Sequence, residues 1–180
     1  TNPPNKKFIR PLFKELKSNN KIGIISPCGD DWGEREYLNN KEKTKFFYYI
    51  HNHVYLININ LIKKIANFKS KSYKNFFFDG NNFRGFGTES ELIAKCYAND
   101  YAAAITSKVL CSENEYFLKK YYKYIKTESY DINKKLYLKE GSEWMKKKYG
   151  FSSKWDMLFY GKNFYDKFFE YYPNLLRYKI

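Results

Sequence analysis

Long hydrophobic runs are missing from this chain of 180 residues: no stretch approaches the roughly 20 consecutive apolar residues that a membrane-spanning helix needs. Thr1 to Lys7 is polar and no apolar segment follows it, so the pattern of a secretory leader is not seen. A soluble, cytoplasmic protein is the expectation. Cysteine is scarce, with Cys28, Cys96 and Cys111 forming an odd, widely spaced set that contains no CxxC pair and no Cys/His cluster. That spacing excludes a disulfide framework and a zinc finger, and it predicts buried, inert thiols at Cys96 and Cys111. Histidine is scarcer still, limited to His51 and His53. Acidic residues are also under-supplied, 19 against 33 Lys and Arg.

The resulting net charge of +14 would by itself call for a polyanionic partner. The lysines argue otherwise, because Lys41, Lys43, Lys45, Lys63, Lys64, Lys119, Lys120 and Lys123 are dispersed rather than gathered in one block. Lys, Asn, Tyr, Phe and Ile are over-used together, as codons rich in adenine and thymine favour. Nucleic acid is therefore a disfavoured partner, and no nucleic-acid reader motif is present. Hydrophobic residues make up 43% and aromatics 21%, at structured spacings, which excludes disorder. A chain of this length forms one domain with a real core, burying roughly 70% of its unfolded surface.

Apolar positions Phe8, Ile9, Leu12, Phe13 and Leu16 have helical spacing, after Pro3 and Pro4 and before the stop Ser18-Asn19-Asn20. Lys21 to Ile25 reads as a buried strand ending at the turn formers Ser26, Pro27, Cys28 and Gly29. Phe46 to Ile50 and Val54 to Ile59 read as strands, the second passing into a helix with Leu61, Ile62, Ile65 and Phe68. A helix over Glu89 to Ala98 and a strand over Ala102 to Leu110 follow. Helical patterns then cover Tyr116 to Ile125, Tyr130 to Tyr149 and Trp155 to Tyr172, with Gly141 and Tyr149-Gly150 as expected breaks. The order is α/β, with a helical tail and few strands.

The chemistry concentrates in Phe76 to Leu92, where Gly85-Phe86-Gly87 stands directly before Glu89 and Glu91 at a helix start. Glycines let the backbone approach a ligand, and an aromatic beside a carboxylate suits sugar C–H faces. Thr88-Glu89-Ser90-Glu91 also spells a capping box, with Thr88 as N-cap and Glu91 three residues on. Glu91 then has a structural reading beside a binding one, whereas Glu89 is left to face a cleft.

Phe86-Gly87-Thr88-Glu89-Ser90-Glu91-Leu92, with Phe78-Asp79 upstream and a helix and strand downstream, resembles the aromatic-Gly-acidic-Asp-x-Asp-Leu pattern of inverting family-2 glycosyltransferases. Lys21-Ile22-Gly23-Ile24-Ile25 and Val54-Tyr55-Leu56-Ile57 are similar to the strands that precede that pattern. The resemblance spans roughly residues 5 to 115. It implies a partial GT-A-type mixed sheet over residues 1–115 with a helical carboxyl-terminal extension over 116–180 packed on it. Glu89 falls at the position of the catalytic base; Thr88 replaces the first acidic residue, and Glu stands for Asp. Asp79, Gly85, Phe86, Gly87 and Glu91 would line the acceptor side. Implied partners are a nucleotide-sugar donor and a carbohydrate or other hydroxyl acceptor, and the implied cofactor is a divalent ion, Mn or Mg. The donor-binding half with its Asp-x-Asp motif is expected amino-terminal to Thr1, and a homo-oligomer fits the pattern.

Asp30-Asp31 sits too late and without the intervening residue to replace that metal motif, so Asp31 reads better as acceptor-facing. Trp32 in the same loop is a sugar-stacking candidate, whereas Trp144 and Trp155 fall on helical faces and read as core. His51 and His53 could share one strand face and chelate a metal, or contact acceptor, or simply pack. Glu113 is a weak stand-in for a further metal ligand. The competing readings are a non-catalytic carbohydrate-binding or assembly module derived from that fold and, third, a basic nucleic-acid-binding protein.

Overall fold

The computed structural model describes residues 8–29, 34–38, 41, 43–49, 54–71, 75–111 and 129–180. Helix α1 (Ile9–Ser18) leads into strand β1 (Ile22–Gly29), and a short helix α2 (Glu34–Tyr37) precedes β2 (Thr44–Phe46). Strand β3 (Leu56–Ile57) runs into α3 (Ile59–Ile65); α4 (Thr88–Ala98) is followed by β4 (Ala102–Cys111). Helices α5 (Tyr130–Tyr149) and α6 (Lys154–Tyr171) and a 3-10 turn (Pro173–Tyr178) complete the described elements.

The described strands form one mixed sheet in the order β2-β4-β1-β3. β1 and β4 are parallel at its centre, and β2 and β3 flank them antiparallel. Every residue of β1 is buried, so both faces of the sheet are covered, as a parallel pair requires. The apolar runs Ile22–Ile25 and Ala102–Ile105 supply the pair, with Ile24 opposite Ala103 and Ile25 opposite Ala104. Small side chains on β4 let helices lie close.

β1 continues through Ser26-Pro27-Cys28-Gly29, which the sequence reads as a turn. Register shifts beside Pro27 explain the difference: a bulge tolerates a residue without an N–H, and Cys28 and Gly29 resume pairing opposite Leu110 and Cys111. The strand expected over Phe46 to Ile50 is displaced, since β2 is Thr44–Phe46 and shares only Phe46 with that run, and β3 takes just Leu56 and Ile57 of the run from Val54 to Ile59. α1, α4, β4, α5 and α6 match their expected spans to within one or two residues. The helix expected over 116–125 lies outside the described residues.

The carboxyl-terminal helices share the central core. Tyr165, Phe168, Phe169 and Leu175 are buried with the residues of β1, β4 and α4. Phe46 stacks on Tyr178 with 4.7 Å between ring centroids, and the Tyr97 hydroxyl donates to the Phe47 and Ala103 carbonyls at 2.8 and 3.2 Å. These aromatic edges and satisfied hydroxyls tie α4 and α6 to the β2–β4 side of the sheet. A smaller cluster of Trp144, Met145 and Met157 joins α5 to α6 and carries Phe86 against it. Gly141 does not break α5.

Candidate functional site

Helix α4 is aimed by its two ends. At its carboxyl end the N–H groups of Asn99, Asp100 and Tyr101 donate back to the Cys96 and Tyr97 carbonyls, with Asp100 at φ 64°. The chain reverses there within three residues and enters β4 at Ala102. The helix therefore runs back along β4, and its amino end lies at the carboxyl end of the parallel pair. Ligand sites of open α/β sheets lie outside that end. Tyr55 belongs to the same end, because Leu56 pairs with Ile25 and Ser26 Oγ donates to the Val54 carbonyl at 3.1 Å. Burial raises the Tyr55 pKa, and the charge of Glu89 raises it further, so Glu89, half-buried in the first turn of α4, stands near that phenol.

The capping box does not form. Gly87 is the N-cap at φ 83°, a conformation costly for any other residue, and its carbonyl accepts the Glu91 N–H at 3.1 Å. Thr88 turns its hydroxyl back to the Gly85 carbonyl at 2.7 Å. Glu91 is thereby released from the cap.

What holds Glu91 is α5. Lys148 Nζ lies 2.8 Å from Glu91 Oε1 and 2.8 Å from Asp79 Oδ2, and the Tyr149 hydroxyl also donates to Glu91 Oε1. Lys95, one turn along α4, pairs with Glu91 Oε2 at 3.3 Å. Trp144 Nε1 donates to Asp79 Oδ2 at 3.1 Å, and Asp79 Oδ1 accepts the Asn81 N–H at 3.0 Å. Burial opposes ionisation of Asp79, yet the Lys148, Asn81 and Trp144 hydrogen bonds outweigh it and hold the carboxyl well below the usual range. Glu91 behaves alike: burial raises its pKa, and bonds from Lys148 and Tyr149 with the charge of Lys95 bring it below the ordinary value. Tyr149, half-buried and bonded to that carboxylate, is pushed far up and stays a neutral donor.

The loop between Asp79 and Gly87 is clamped by the same helix. Glu140 accepts the Arg84 N–H at 2.6 Å and its guanidinium at 3.0 Å. Asn82 bridges the turn, donating to the Phe86 carbonyl at 2.9 Å and accepting the Gly85 N–H at 3.1 Å. Phe86 packs edge-on against Tyr137 and lies over Gly141, where an added Cβ would sit 2.4 Å from the Phe86 Cβ.

The structure thus gathers Asp79, Gly85, Phe86, Gly87, Glu89 and Glu91 in one loop-and-helix unit. Phe86 is not an open stacking surface; its ring is spent on α5. Asp31, Trp32 and His53, together with Asp30, His51 and Glu113, lie outside the described residues. Trp144 is buried as expected, but Trp155 is 59% exposed, because it stands two residues before the fully buried Met157 and so on the opposite face of α6. All three cysteines are buried and none is in a disulfide.

Lys148, Tyr149, Arg84 and Glu140 were not legible as partners of this site. One signal existed: Tyr137, Gly141, Trp144 and Lys148 follow a spacing of four, three and four, which is one helix face carrying a glycine, an indole and a cation.

Among the described residues no group of three or more His, Cys, Asp or Glu is placed to hold a metal ion. Glu91, which is buried, and Asp79, which is half-buried, are already neutralised by lysine. No protein-family model matches the chain, and no curated protein or solved structure matches it significantly.

Proposed function

We propose that this chain is the acceptor-side portion of an inverting glycosyltransferase of GT-A type, with Glu89 as general base. One observation carries the reading: a half-buried carboxylate in the first turn of α4, beyond the carboxyl end of the parallel β1–β4 pair, on a glycine turn braced from behind by α5. Glu89 would take the proton of an acceptor hydroxyl while that oxygen attacks the anomeric carbon of a nucleotide sugar. The bond to the nucleoside diphosphate breaks in the same displacement, inverting the configuration. Asp79 and Glu91 serve the loop rather than the reaction, since every one of their oxygens is engaged by Lys148, Lys95, Tyr149, Trp144 or Asn81. A divalent ion for the leaving diphosphate has no group of three or more His, Cys, Asp or Glu to hold it among the described residues.

The test is sugar transfer from a panel of labelled nucleotide sugars by the full native protein carrying Glu89→Gln. Transfer should fall by about a hundredfold or more while acceptor binding persists. Undiminished transfer would remove Glu89 as the base, whereas saccharide binding without transfer in the unaltered protein would instead identify a carbohydrate-binding module.

A further inference from the structure

Away from Glu89, a depression of about 360 Å³ opens between the end of α3, the loop around Phe76 and the middle of α4. Asn67, Asn75, Phe76, Asp79, Lys95 and Lys148 contribute to its wall. We infer that it is a subsite for a neutral saccharide, reached by a part of the acceptor remote from the reacting hydroxyl; this rests on the glycosyltransferase reading.

Charge decides the class of ligand. Lys95 and Lys148 would suit an anion, but both are committed to carboxylates: Lys148 to Asp79 and Glu91 at 2.8 Å each, and Lys95 to Glu91 at 3.3 Å. Two ammonium groups and two carboxylates cancel, so a phosphate or sulfate entering here gains no net charge. The remaining polar groups are amides. Asn75 Oδ1 accepts the Gly80 N–H at 2.7 Å and Asn67 Oδ1 accepts the Lys69 N–H at 3.2 Å, which fixes both side chains and presents their NH₂ groups at an exposed rim. Phe76, 38% exposed and held edge-on by Phe68 at 5.2 Å between centroids, adds an apolar ring. Fixed amide donors beside an exposed ring, with no net charge, suit a sugar's hydroxyls and C–H face.

Position decides the role. Lys95 follows Glu89 by six residues, about 9 Å along the helix axis. Six residues also turn the helix by about 120°, so a saccharide of several units has to bend around α4 to engage both places.

The experiment titrates the full chain with neutral oligosaccharides of two to four units built from glucose, galactose, N-acetylglucosamine or rhamnose, with inorganic phosphate as anion control. Amide shifts and calorimetry are the readouts. At least one oligosaccharide should bind, and Phe76→Ala should weaken it by about tenfold, the loss of one good contact. Asn75→Asp keeps the acceptor for Gly80 and removes the donor, so it should weaken binding similarly without unfolding the loop. Binding of phosphate in place of saccharide, no saccharide binding, or saccharide binding indifferent to Asn75 and Phe76 overturns the subsite. In the last case, loss of transfer in Glu89→Gln would still stand for the catalytic reading; a working subsite with transfer indifferent to Glu89 would sink that reading alone.

Discussion

Lys148 Nζ lies 2.8 Å from Glu91 Oε1, an ammonium on α5 joined to an α4 carboxylate whose side chain is only 2% exposed. The same nitrogen reaches Asp79, so one lysine joins the loop, the helix that follows it and a helix from the far end of the chain. Lys148→Met keeps the aliphatic stem and removes the charge, leaving two carboxylates without their shared cation. Breaking a buried pair costs about 3–5 kcal/mol, and the partial exposure of Lys148 places this one toward about 2 kcal/mol. Urea unfolding should show that loss; a change within error would mean that the triad is not stabilising.

Acid should expose the same network. Asp79 and Glu91 have pKa values depressed in the folded state, so their contribution is present above the unfolded carboxylate values near about pH 4 and is lost as pH falls toward the folded ones. The unaltered protein should lose stability steadily below about pH 4. Glu15, depressed by Lys108 and Thr44 against the pull of burial, adds to that slope elsewhere. Comparison with Lys148→Met isolates the network: the variant should show a shallower acid limb. Parallel limbs would assign the acid loss to other groups.

Gly141 sets two expectations against each other. Alanine is the better helix former by about 1 kcal/mol at an exposed interior site. At Gly141, however, a Cβ would lie 2.4 Å from the Phe86 Cβ and 2.7 Å from the Phe86 carbonyl oxygen, neither of which belongs to a movable side-chain end. Gly141→Ala should therefore destabilise, by about 1–3 kcal/mol, and displace the glycine turn from α5. A raised melting temperature would show that the approach of Phe86 is looser than this.

Periodicity carried the helices and β4 because each is long and its apolar stripe is regular. α5 was legible from Tyr130 to Tyr149, and the break at Gly150 was legible with it. The carboxyl half of β1 was not, since Ser26 and Pro27 are strand residues only because β4 lies alongside with a bulge. Glu91 was misread for a related reason. Local pattern places it in a capping box, but partners 57 and 58 residues away claim its carboxylate, and Gly87 caps the helix instead. The glycine turn and its carboxylates could be found in sequence; what braces them depends on contacts that no window along the chain contains.

Glu89 and Glu91 are two residues apart on one helix, and their substitution should have opposite signatures. Glu91→Gln keeps the shape but removes the charge that Lys148 and Lys95 share, so melting should drop with a loss of about 1–3 kcal/mol. Below the melting transition, transfer should persist, because Glu91 is turned toward α5. Glu89→Gln, at a half-buried position close to Tyr55, should change stability by less than about 1 kcal/mol and abolish most transfer. Paired melting and transfer assays on the two variants separate the roles within one experiment. If Glu91→Gln removed transfer while Glu89→Gln spared it, the base would have to be reassigned and the bracing role of Lys148 would become a catalytic one.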